Sequence, residues 1–142
     1  MWILDTDHLS LLEYAGNPIA ERLRGKLLAL KPEDYATTII SYEEQCRGWL
    51  EKINKEKTAL AQVTAYRKLH KQLEHYCKSR LLDFDEHAAV EFQRLRTSKI
   101  RIKTMDLKIA SITLALGATL LTRNSRDFIK VPKLRFEDWT KE

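Results

Sequence analysis

The sequence predicts an α/β fold, a three-layer sandwich with a mostly parallel central sheet, on three observations. Four short apolar runs recur along the chain and read as strands. Segments with helical spacing and good helix formers separate them, so the order alternates strand, helices, strand. Parallel neighbours joined by helices obey the right-handed crossover rule, which distributes the helices over both faces of the sheet.

The first run is "WIL" at 2–4, and a leucine-bearing helical segment follows it after "DTD". The second is "ATTII" at 36–40, the third "RLLDF" at 80–84 and the fourth "ATLLT" at 118–122, with "LRF" at 134–136 as a candidate fifth. Residues 42–78 contain no proline and only Gly48, and Leu60, Val63, Leu69 and Leu73 recur at near-helical intervals, which predicts two consecutive helices broken around Asn54. A further helix is expected over 86–97 with Ala89, Phe92 and Leu95 on one face. The last long helix is expected over 106–116, closed by Gly117 just past its end. No internal repeat is present.

A chain of 142 residues, 44% hydrophobic and 32% charged with 4 Gly and 3 Pro, has the composition of one globular domain spanning 1–142. The longest low-polarity run, "ITLALGATLL", is about half of a membrane span, and no basic segment precedes the first apolar residues. No membrane association is expected. Cys46 and Cys77 lack zinc-site spacing, so reduced thiols and a cytoplasmic location are expected. The 25 Lys and Arg against 20 Asp and Glu give a net charge of +5, which suits a polyanionic partner without establishing one.

Candidate functional residues cluster at strand and helix junctions. Asp5 follows the first strand, Glu44 follows the second, Asp106 opens the final long helix, and Asn124 and Asp127 follow the fourth strand. In a parallel sheet the carboxyl ends of the strands share one edge, where ligands bind, so residues distant in sequence can meet there. Each also has a purely structural alternative. Ser41 and Glu44 form an S-x-x-E capping box; Asp106 suits a helix's first turn; Asn124 can cap a turn over "SRDF"; Asp5 or Asp7 can cap the first helix. Capping does not explain acids attached to apolar segments, where an unpaired charge is costly. Converging carboxylates call for a cation, and an all-oxygen donor set selects Mg²⁺ or Mn²⁺ over zinc. His8, His70, His75 and His87 do not form a ligand set.

The segments "ILDTDHLS", "SYEEQCRG", "MDLKIASITLALGATLLTRNSRDF" and "VPKLRFEDW" occur in an order and at intervals that resemble VapC-type PIN-domain toxins, the ribonuclease half of bacterial toxin–antitoxin pairs, over nearly the full chain. The resemblance implies metal-dependent hydrolysis of RNA, with Asp5, Glu44 and Asp106 holding the Mg²⁺ or Mn²⁺ and Asn124 as the fourth catalytic position. It also implies a cognate VapB-type antitoxin and a homodimer. Many relatives carry aspartate where Asn124 stands, a glycine upstream of the third acid, and leucine where Gln45 stands. Thr6 and Thr122 are candidates to support the ligands. The acid-free run holding Arg94, Arg96, Lys99, Arg101 and Lys103 could follow a phosphate backbone, with Arg67, Lys68, Lys71 and Lys78 as a weaker patch. Leu60, Val63, Tyr66 and Leu69 are expected to pack in the chain's own core or, failing that, to meet a partner. Competing readings are a catalytically impaired PIN module acting by protein contacts, a haloacid-dehalogenase-like phosphatase using "DTD", and a receiver-type phosphoacceptor.

Overall fold

The computed structural model describes residues 1–141. Glu142, the last residue of the expected domain, lies outside them. Five strands form one sheet: β1 (Trp2–Leu4), β2 (Tyr35–Thr38), β3 (Leu81–Leu82), β4 (Thr119–Leu121) and β5 (Arg135–Glu137), in the order β3-β2-β1-β4-β5. Every pairing is parallel, so every connection must cross back over the sheet. Helices α1 (Thr6–Leu11) and α2 (Pro18–Leu28) join β1 to β2, and α3 (Ile39–Lys55) and α4 (Ala59–Lys78) join β2 to β3. Helices α5 (Glu86–Thr97) and α6 (Thr104–Leu116) lead to β4, and the short α7 (Ser125–Phe128) leads to β5.

Alternation along the central strands divides the core in two. Ile3 and Leu120 point to a cluster with Leu95, Ile109, Ile112 and Phe128, whereas Leu4 and Leu121 point to a cluster with Leu9, Leu23, Leu27 and Tyr76. The sheet is therefore covered by α5, α6 and α7 on one face and by α1, α2 and α4 on the other, which completes the three layers.

Several boundaries differ from expectation for local reasons. Strand β2 ends at Thr38 because the Thr38 hydroxyl accepts the Ser41 N–H at 3.1 Å and starts α3 at Ile39. The break in the long helical region falls at 56–58, beyond Asn54, where Thr58 caps α4 by accepting the Ala61 N–H at 3.1 Å. On α5 Leu95 faces inward as expected, together with Ala88 in place of Ala89, which is exposed. Helix α6 begins at Thr104 and is buried nearly all round, since Leu107 and every residue from Ile109 to Thr113 are inside. The α4 stripe does not pack in the core: Leu60 is 83% and Tyr66 55% exposed, and Ala65, Gln72 and Tyr76 face inward instead.

Gly117 closes α6 in the left-handed region at φ 62°, where a side chain would be strained although a Cβ would meet no atom within 4 Å. Gly48 lies inside α3 with the same open space and ordinary helical φ. Gly117→Ala should therefore lower stability by about 1 kcal/mol, and Gly48→Ala should raise it by about 0.5–1 kcal/mol. Urea unfolding of the two variants checks the contrast in sign.

Candidate active site

The strand order reverses direction of growth between β1 and β4, so the crevice at their carboxyl ends is the topological switch point. The first residue beyond β1 is Asp5 and the first beyond β4 is Thr122. The Asp5 N–H extends the ladder by donating to the Leu121 carbonyl at 2.9 Å. That bond fixes the Asp5 backbone, and the side chain then turns inward, only 4% exposed. Its Oδ1 accepts the Thr6 N–H at 2.8 Å, and its Oδ2 accepts the Thr122 hydroxyl at 2.7 Å. Burial first, then the neighbouring Asp7 charge, pushes the Asp5 carboxyl up to about 7 against the opposing pull of these two hydrogen bonds. Asp106 adds further repulsion.

Glu44 reaches the same edge from α3. Its Oε1 accepts the Thr6 hydroxyl at 2.8 Å, and the Ser41 hydroxyl lies 2.9 Å from the same Thr6 oxygen. Thr6 has one proton to give, so it serves Glu44, while Ser41 donates its own proton to Thr6. The capping box that was the structural alternative for Ser41 and Glu44 does not form. Thr38 is the cap, Ser41 is buried in the first helical turn, and Glu44 stands further along α3 with its carboxylate free for other work.

Asp106 lies half-buried in the first turn of α6. Burial and then the Glu44 charge raise its carboxyl to about 6, Lys103 opposes the shift, and Asp127 and Asp7 add to it. Asn124 does not cap α7 with its side chain. Its Nδ2 donates to Asp127 Oδ2 at 3.1 Å and to Asp106 Oδ2 at 3.4 Å, and its backbone N–H donates to the Thr122 hydroxyl at 3.0 Å. A neutral amide thus bridges two carboxylates.

Asp7 and His8 have roles that the sequence did not reveal. Asp7 Oδ2 accepts the Arg123 N–H at 3.0 Å and lies 3.3 Å from the Thr122 hydroxyl. His8 is fully buried; its Nε2 accepts the Trp139 N–H at 3.4 Å, so Nδ1 carries the proton donated to Asp7 Oδ1 at 2.9 Å. These contacts tie α1 to the loop after β4 and to the C-terminal segment. The adjacency of Asp7 and His8 directly behind Asp5 was the available signal, but their partners lie far along the chain.

Among the described residues none of Asp5, Glu44 and Asp106 is ion-paired to a lysine or arginine. Nor do three acidic, His or Cys ligands form a ready-made metal cage among them. Every donor in the set is an oxygen, which suits a hard divalent cation such as Mg²⁺ or Mn²⁺.

A small three-layer α/β protein with an acid-lined crevice at its switch point is thereby defined. The PIN domain family model matches residues 3–134, and the chain belongs to that family. Nuclease activity is general for PIN domains, and PIN nucleases generally use divalent metals. The fold is shared with a chain of FitAcB from Neisseria gonorrhoeae, at 24% identity and TM-score 0.71 over 98% of this chain and 99% of that one. VapBC2 from Rickettsia felis, bound to a DNA fragment from its promoter, contains a chain at 23% identity and TM-score 0.74, covering 97% and 98%. VapBC-1 from nontypeable Haemophilus influenzae gives 24% identity and TM-score 0.69, covering 99% and 98%. Comparison with curated proteins by sequence finds no match. Among the described residues no helix is long and apolar enough to cross a membrane.

The raised Asp5 carboxyl makes stability fall with pH. The folded chain holds a proton on Asp5 up to about pH 7, whereas the unfolded chain releases it near the ordinary value of 3.8. This stabilisation is complete below the unfolded value and is lost as pH rises through the folded one, at about 1.4 kcal/mol per pH unit at the steepest. Asp106 adds a smaller contribution of the same sign. In urea unfolding with EDTA, stability should decline between about pH 4.5 and 7, and Asp5→Asn should flatten that decline. An equally steep decline in Asp5→Asn would assign it to other groups.

Proposed function

We propose that this chain is a metal-dependent endoribonuclease and the toxin of a type II toxin–antitoxin pair. In this reading Asp5, Glu44 and Asp106 hold Mg²⁺ or Mn²⁺ directly or through water, and Asn124 orients Asp106. The observation that carries the reading is the approach of three unpaired carboxylates, brought by β1, α3 and α6, to the switch point of a PIN domain. The bound cation would supply an acidified water and neutralise charge on the scissile phosphate. The chain's own residues do the rest. Thr122 and the Thr6 N–H fix both oxygens of Asp5, the Thr6 hydroxyl fixes Glu44, and the Asn124 amide fixes Asp106.

The fold likeness to chains of the VapBC and FitAcB complexes supports a toxin role and a VapB-type antitoxin as partner. Exposed apolar side chains on α4 and α5, among them Leu60, Tyr66, Leu73 and Val90, support association through these helices, including the homodimer. The phosphatase reading loses its second acid, because Asp7 is committed to Arg123, Thr122 and His8.

Glu44→Gln and Asp106→Asn test the ligand assignment. Each substitution keeps an oxygen that can accept the existing hydrogen bond, so the fold should persist. RNA cleavage in Mg²⁺ or Mn²⁺, and growth arrest on expression, should fall by at least about 100-fold. A folded variant with wild-type cleavage would remove that residue from the site.

Asn124→Asp separates two roles for the fourth position. It replaces a shared donor with a third negative group beside Asp106 and Asp127, so stability without metal should drop by about 1–2 kcal/mol. As an orienting amide, Asn124 predicts an unchanged or higher Mn²⁺ concentration for half-maximal cleavage in the variant. A clearly lower requirement would instead make position 124 a ligand for a second cation. The impaired-module reading predicts no metal-dependent cleavage by the natural chain at any cation concentration.

A further inference from the structure

We propose that the groove between α1, α3 and α4, floored by Gln45 and walled by Trp49, is a subsite for single-stranded RNA, with one base stacked on the Trp49 indole and the flanking phosphates on Lys68 and Lys71. The inference rests on the proposed nuclease site, because it names how that site's substrate would be held beside the carboxylates.

The groove has a volume of about 310 Å³, and its lining sets Lys68 and Lys71 of α4 and Trp49 of α3 against one acid, Glu13; it neighbours the carboxylates through Gln45, which follows Glu44 in the chain. Thr6, which holds Glu44, is one turn of α1 from Ser10, and Gln45 Nε2 donates to the Ser10 hydroxyl at 3.4 Å. The Tyr76 hydroxyl donates to Gln45 Oε1 at 2.6 Å, so both ends of the amide are occupied and the floor is fixed. Trp49 stands one turn beyond Gln45 on the same side of α3, whereas Glu44 points about 140° away from Trp49 around the helix. A strand with its phosphate at the carboxylates would pass around α3 to bring a base to the indole.

Charge selects the occupant. Helix α4 carries Arg67, Lys68, Lys71 and Lys78 against Glu74 alone. That one acid is taken by His70 at 2.9 Å. Lys52 and Lys68 rest on the Trp49 ring at 4.4 and 5.4 Å from its centroid. Among the described residues, Lys52, Lys68 and Lys71 have no carboxylate partner, whereas Arg47, Lys55 and Arg94 are each paired to a glutamate on their own helix. Unpaired ammonium groups around a half-buried indole match a ligand that is anionic along its backbone and aromatic at its bases, which is a single-stranded nucleic acid. Flexible lysines can leave the ring for phosphates when a base takes its face. The run from Arg94 to Lys103 is less available, since Arg94 is bound to Glu91 and Arg96 rests on Phe92 at 5.6 Å.

The test measures binding of a fluorescein-labelled single-stranded oligouridylate to the full chain in EDTA, so that neither cleavage nor a bridging cation contributes. Trp49→Ala should weaken binding about 5- to 150-fold, the range of one lost base stack, and Trp49→Phe should restore most of it. Replacing Lys68 and Lys71 by Gln should lower the slope of log affinity against log salt by about 1.4, the value for two phosphate contacts on a single strand. A duplex, whose bases are already stacked, should show the salt effect without dependence on Trp49. Circular dichroism checks that the variants remain folded. Unchanged oligouridylate affinity in Trp49→Ala and in the lysine variant would overturn the inference and leave the groove to a protein partner. Because binding is read without metal, that outcome is distinct from failure of the nuclease reading, which shows as absent cleavage by the natural chain.

Discussion

The arrangement of the whole edge depends on one buried carboxylate. Asp5 is placed by the last ladder hydrogen bond of β1 on β4, so its position is set by the two strands at the centre of the sheet rather than by a loop. Burying it beside Asp7 and near Asp106 is unfavourable, and the fold offsets this with a hydroxyl and an N–H instead of a cation from the chain. A lysine or arginine at that point would satisfy the charge permanently. Neutral donors leave it fixed in direction and unsatisfied in charge, which is the condition in which a divalent ion adds most.

Rigidity of the edge comes from both ends of the chain. Thr122 is shared: its hydroxyl donates to Asp5 and accepts the Asn124 N–H, so the residue after β4 sets the carboxylate and the following loop together. Asp7 holds the next residue through the Arg123 N–H, and His8 behind it accepts from Trp139 near the C-terminus. Trp139 also packs on Trp2, with ring centroids 4.7 Å apart. The first strand, the fourth strand and the last residues are thereby locked around one short helix, α1, and the loop bearing Asn124 has little freedom to leave Asp106.

Periodicity made most of the fold legible, and the exceptions have physical causes. The strands at 2–4 and 119–121 are apolar on both faces because helices cover both, and they stand out as runs. Strand β3 shrinks to two residues where "RLLDF" promised five, since Asp85 turns its side chain to cap α5 at the Ala88 N–H. Ser41 looked like a cap because S-x-x-E is a local pattern; Thr38, three residues earlier at the strand end, accepts the Ser41 N–H and starts the helix before Ser41 can cap it. The α4 stripe was misplaced for a different reason. A helix packed along one narrow seam here buries Ala65, Gln72 and Tyr76, and Leu60, Tyr66 and Leu73 face outward, so spacing alone points to the wrong side. The positions of Asp5, Glu44, Asp106 and Asn124 were legible because strand ends in a parallel sheet share an edge. The Thr6–Glu44 and Asn124–Asp106 bonds were not, because they are fixed by packing between elements remote in sequence.

The net charge of +5 conceals a separation of sign that bears on how such a site would work. The crevice is acidic and the adjoining α4 surface is basic, so a polyanion approaching the chain meets attraction on the helix and repulsion at the carboxylates. In the proposed reading, a cation at Asp5, Glu44 and Asp106 would remove the repulsion, and a phosphate placed there would add a negative ligand beside the cation. Each therefore favours the other, and linkage requires the coupling to be equal in both directions. Carboxylates close together without a counterion raise each other's proton affinity, as Glu44 does for Asp106, so neutral donors that fix each group and add no charge of their own leave it able to ionise once a cation is present.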